Sequence, residues 1–116
     1  MAITHKSFAL GQNVTSTSAT ARQLIVSATN GVVTIEKASV KNDNGSNAYD
    51  IYVYLLSDTV LSGTVVEQTI VNVAANTTAQ LTDIVGHKIP AGGSLQVHDA
   101  SGADLYITVS GIERTQ

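Results

Sequence analysis

Residues 89–113 read Ile-Pro-Ala-Gly-Gly-Ser-Leu-Gln-Val-His-Asp-Ala-Ser-Gly-Ala-Asp-Leu-Tyr-Ile-Thr-Val-Ser-Gly-Ile-Glu. From Leu105 onward, Leu105, Ile107 and Val109 alternate with Tyr106, Thr108 and Ser110, the period of two that marks a strand with one face in a core. Leu95 and Val97 form a shorter strand ahead of it. Between them Asp99-Ala100-Ser101-Gly102 has turn chemistry, with Gly102 free to take positive φ and set a bulge. The reading is a closing antiparallel hairpin. Pro90 cannot donate to a ladder, so pairing is expected to begin only after Gly92-Gly93.

Upstream, the same logic predicts strands throughout. Gln23 to Ala28 places Leu24, Val26 and Ala28 on one side, and Asn30-Gly31 is the strongest hairpin signal in the chain. Val33 and Ile35 point inward, then Ala38 and Val40 do, so the phase slips by one residue near Glu36-Lys37 and a β-bulge is predicted. Residues 42–47, Asn-Asp-Asn-Gly-Ser-Asn, read as an exposed loop. Residues 49–56, Tyr-Asp-Ile-Tyr-Val-Tyr-Leu-Leu, are the most hydrophobic run and read as a central strand with Ile51, Val53 and Leu55 on one face. Its other face carries Tyr52, Tyr54 and Leu56. Either a loop or the N-terminal segment covers that face, with the phenols reaching water or backbone, or it is a subunit interface. Residues 64–75 read as a strand, with a helix as the runner-up, because β-branched side chains crowd them. Ala79 and Leu81 mark another short one.

The chain has 116 residues, long enough for one core. The expected fold is all-β: a single antiparallel β-sandwich of jelly-roll or Ig-like type, with seven or eight strands and an extended N-terminal arm. Residues 1–21 form the N-terminal strand or arm, with Ile3, Phe8 and Leu10 its apolar members, and residues 22–116 form the sandwich domain. There is no cysteine, so no disulfide framework or thiolate metal site is available. A 13% charged fraction and a net charge of -3 give neither a nucleic-acid footprint nor a membrane-binding face. No export signal and no membrane-spanning run is read, and the three Asn-x-Ser/Thr sequons are expected to be unmodified.

Few residues suggest reaction chemistry. His5, His87 and His98 are the candidates for a general base at neutral pH. His98-Asp99 with Ser94 nearby lacks the G-x-S-x-G elbow of a hydrolase, and Gly92-Gly93-Ser94 is explained by a turn entering a strand. Oxygen ligands at Asp43, Asn44, Ser46, Asn47 and Asp50 are of the type calcium uses, but without EF-hand spacing. The reading is therefore no enzyme, no metal and no cofactor.

Two stretches resemble a known family: Asn47 to Leu56, with its Ala48-Tyr49-Asp50-Ile51-Tyr52-Val53-Tyr54-Leu55 run, and Ile89 to Glu113, from the Ile89-Pro90-Ala91-Gly92-Gly93-Ser94-Leu95 turn to the Val109-Ser110-Gly111-Ile112-Glu113 end. They are similar to small structural proteins of tailed-bacteriophage virions, most of all capsid decoration (cement) proteins. The resemblance implies a β-sandwich on the capsid exterior, made in the bacterial host cytoplasm, that bridges major capsid protein subunits. It also implies a homo-oligomer, a trimer in preference to a dimer. On this reading Ile3, Phe8 and Leu10 touch the capsid, while Tyr52, Tyr54 and Leu56 lie between subunits. Neck, tail or fibre-base adaptors share the pattern, and a carbohydrate-binding sandwich is a further alternative, using Tyr52 and Tyr54 as its aromatic platform.

Overall fold

A computed structural model describes residues 2–100 and 103–115. Among the described residues all regular structure is β: β1 (Ala2–Asn13), β2 (Gln23–Ser27), β3 (Val32–Asn42), β4 (Tyr49–Leu56), β5 (Val65–Val73), β6 (Thr78–Gln80), β7 (Lys88–Ile89), β8 (Ser94–Asp99) and β9 (Leu105–Thr115). They make two antiparallel sheets. One is ordered β1-β9-β3-β6, with β7 also on β3, and the other β2-β8-β4-β5. The count of nine exceeds the expected seven or eight because β7, two residues long, is too short to leave a periodic pattern.

The core lies between the sheets. Val33, Ile35, Val40, Ile107 and Val109 enter it from one side and Ile51, Val53, Leu95 and Val97 from the other. Alternation explains most of this, and one bulge explains the rest. Against β9 the register of β3 steps from Ile35 opposite Gly111 to Lys37 opposite Ser110. Glu36 is the extra residue, and it lets Val33 and Ile35 before it and Ala38 and Val40 after it all face inward. A Cβ on Gly111 would run into the Thr34 carbonyl oxygen, so the tight side of this bulge accepts only glycine. A second step, between Leu24 and Val26, turns both Ile25 and Val26 inward and leaves Leu24 exposed, contrary to a simple alternation of Leu24, Val26 and Ala28.

Two expected hairpins are instead arches between sheets. Strand β8 pairs with β2 and β4, while β9 pairs with β1 and β3, so the strands of residues 89–113 do not pair with each other. Burial accounts for the difference: β8 is buried at all six positions, which requires a neighbour on each edge and cover on each face. Gly102, assigned to a bulge in that turn, lies outside the described residues. Asn30-Gly31 likewise carries the chain from β2 to β3 in the opposite sheet. Gly31 does not adopt positive φ; it is needed because a Cβ there would overlap the Arg114 carbonyl. By contrast, β8 does begin after the glycines. The Gly93 N–H donates to the Pro90 carbonyl at 2.8 Å, and Gly92 sits at φ 88°, the value that the third residue of a type II turn requires.

Of the two readings of the N-terminus, strand or arm, residues 2–13 form a strand of the sheet. They pair along β9 from Ala2 opposite Thr115 to Asn13 opposite Tyr106. Val14 is fully buried, and residues 14–22 cross to β2. The segment is thus built into the sandwich and is not an arm extending from it.

Candidate interaction surface

Strand parity places Tyr52, Tyr54 and Leu56 on the outer face of the β2-β8-β4-β5 sheet, opposite His98, Gln96 and Ser94 of β8 respectively. Much of this face is covered by the chain itself. The imidazole of His98 stacks on Tyr52 with ring centroids 4.5 Å apart and on Tyr54 at 5.5 Å. The Arg22 guanidinium lies 4.9 Å from the Tyr54 ring centre, a cation over a π face. Arg22 is itself 5% exposed. Its Nε donates to Gln96 Oε1 at 2.9 Å, and its two terminal nitrogens donate to the carbonyls of Ala19 and Gly63. Gln96 Nε2 donates to the Val60 carbonyl, and the Ser94 hydroxyl donates to the Asp58 carbonyl. Two loops, residues 14–22 and 57–64, are therefore tied down over the sheet through one arginine, one glutamine and one serine.

Tyr54 is 5% and Leu56 2% exposed in the single chain, and only Tyr52 remains half-buried. Of the three residues assigned to subunit contact, two are thus already covered by this chain's loops. The platform that a glycan would stack on is largely filled by His98 and Arg22. Burial raises the Tyr54 pKa, partly offset by Arg22. Burial likewise lowers that of His98, with the Asp99 carboxylate opposing and Arg22 adding to the effect. His98 Nδ1 is buried without a hydrogen-bond partner. Ser94 and His98 stand four residues apart along one strand, roughly 13 Å by strand rise, too far for direct proton transfer.

Sequence reasoning missed Arg22. It follows a run of small Ser, Thr and Ala residues, with no periodicity to indicate that a positive charge would be buried. It also placed Asn42 in the exposed loop, whereas Asn42 is fully buried and donates to the carbonyls of Asn47 and Val73. Asn42 Oδ1 and Asn44 Oδ1 accept backbone N–H groups within the 42–47 loop, and Asp50 accepts from Asn72, so these oxygens brace the fold. Among the described residues no group of three His, Asp or Glu side chains could hold a metal ion.

The N-terminal residues divide. Phe8 packs on the core beneath the Lys6 ammonium, while Ile3 and Leu10 are 57% and 82% exposed. Lys6 also meets the buried Glu113 carboxylate at 3.3 Å. At the opposite side of the sandwich, an apolar cleft opens between β5 and β7, lined by Leu55, Leu56, Val66, Ile89 and Pro90, with the Glu67–His87 contact of 3.2 Å at its edge.

No protein-family model and no curated protein matches this chain. Among solved structures it is similar to a subunit of Bacillus endospore appendages, which form a novel family of disulfide-linked pili. The identity is 16%, the TM-score 0.54, and the likeness spans 97% of this chain and 88% of that one. What they share is the fold. Without cysteine, this chain cannot be disulfide-linked.

Proposed function

We propose that this chain is a non-enzymatic structural subunit of a tailed-phage virion, a jelly-roll sandwich that binds the capsid exterior and bridges major capsid protein subunits. Two facing sheets ordered 1-9-3-6 and 2-8-4-5 support the jelly-roll assignment over an Ig-like one, because successive strands alternate between sheets except at β4–β5 and at β6–β7, which both lie on β3. The observation that carries the functional reading is β1. Twelve residues occupy a sheet edge, with Ile3 and Leu10 turned to solvent beside backbone groups that have no neighbouring strand on that side among the described residues. Such an edge offers a capsid subunit main-chain hydrogen bonds and apolar anchors together. Many weak contacts on a lattice add up, since bridging makes the second contact effectively intramolecular.

The test is cosedimentation of the purified protein with capsids of its phage lacking it. Saturation at a copy number that scales with the shell lattice, with greater heat resistance of the shells, is the expected result. Saturation at one ring's worth of copies would identify a neck or tail adaptor, and no binding would overturn the virion reading. A second reading, a subunit of a non-covalent filament, is favoured by the pilus fold likeness. Filaments of the purified protein in negative-stain micrographs would establish it.

A further inference from the structure

We infer that β5 pairs with β5 of a second copy of this chain, antiparallel and centred on Thr69, joining two four-stranded sheets into one of eight. This goes beyond the proposed function, which names no contact between copies of this chain, and does not require a capsid. Each sheet ends in strands whose outer backbone groups are unpaired, and such edges are ordinarily blocked by bulges, charges or shortness. Along their length the other edges are shorter or less regular. Strand β1 has two register shifts, the positive-φ Gly11 and the charge of Lys6. Strand β2 has five residues interrupted by a shift, and β6 and β7 have three and two. Strand β5 is different. From Glu67 to Val73 it runs in unbroken register against β4, with neither glycine nor proline, and Glu67 is its only charged residue.

The sequence Val-Val-Glu-Gln-Thr-Ile-Val-Asn-Val is compatible with pairing to itself. Centred on Thr69, the regular residues Glu67 to Val71 overlap: Glu67 faces Val71 of the second copy and Gln68 faces Ile70, with the register shift of β5 lying beyond them at Val66. A register centred on Glu67 would instead set two carboxylates opposite each other. On the outer face Ile70, opposite Tyr52 of β4, is 53% exposed. In the Thr69-centred register Ile70 lies diagonal to Ile70 of the second copy, within side-chain reach, so the seam covers this apolar pair. The contact is isologous and closes at two chains.

Light scattering on a sizing column should give twice the 12.1 kDa chain mass. The Q68K/I70K variant sets lysines opposite each other across the seam at exposed positions and should run as a folded monomer, whereas I3K, on the other sheet, should stay dimeric. Because the chain has no cysteine, T69C under mild oxidation should give a covalent dimer on a non-reducing gel. A monomeric wild type, or a trimer insensitive to Q68K/I70K, would overturn the inference. A dimer in which T69C fails to cross-link would overturn this interface while leaving self-association standing.

Discussion

Protonating His98 would place a positive charge against two tyrosine rings and close to Arg22, in a site with little water to solvate it. Its pKa is lowered from 6.5, chiefly by burial. A histidine with a depressed folded pKa binds its proton more readily in the unfolded chain. The stability it contributes is therefore complete above pH 6.5 and is lost as pH falls from there through the folded pKa. Melting temperatures compared between about pH 7.5 and about pH 5, the range in which histidine titrates, should fall more for wild type than for H98F, which keeps a ring in the stack. Equal slopes in the two proteins would show that the imidazole does not couple to folding. The sequence placed Tyr52, Tyr54 and Leu56 on one face and allowed that a loop covers it. It could not show that Arg22 and Gln96 fasten that loop, because the bond between them joins residues 74 positions apart.

At the scale of elements, what could be read depended on whether the signal lay in the strand or beyond it. The Glu36 bulge was legible because it leaves a phase slip in the side chains themselves. The pairing of β8 with β9, and of β2 with β3, was misread because turn residues such as Asn30-Gly31 or Asp99-Ala100 report only that the chain reverses. They do not specify which sheet the next strand joins. The same distinction bears on β1. Since it covers one edge of β9 and contributes Ala9 to the core, deleting residues 2–13 should abolish cooperative folding, and lost capsid binding would then say nothing about contact. The I3S and L10S substitutions separate the two effects. Both sites are exposed, so the urea midpoint should correspond to a change within about 0.5 kcal/mol, while cosedimentation with capsids should weaken if β1 is the contact edge. A large loss of stability in either variant would mean that these side chains pack within the monomer.

Across the whole molecule, β1 pairs with β9 and β2 with β8, and among the described strands β4–β5 is the one pairing between neighbours in sequence. Non-local pairing must close long loops before it gains contacts, so folding should fall in the millisecond-to-second class of β-sandwiches. It should also be polarised toward the one local hairpin. Ile51 of β4 and Ile107 of β9 are both fully buried and lie in opposite sheets, so truncating each to valine makes a matched comparison. Either change should cost about 0.5–1.5 kcal/mol at equilibrium. The kinetics should divide them. I51V, in the early hairpin, should mainly slow folding, while I107V, in a strand that waits for both β1 and β3, should mainly speed unfolding. Stopped-flow chevrons measured in the Q68K/I70K background keep association out of the rates. If I107V proved to be the variant that slows folding, the nucleus would lie instead in the β1-β9-β3 sheet, and the longest-range contacts of the chain would form first.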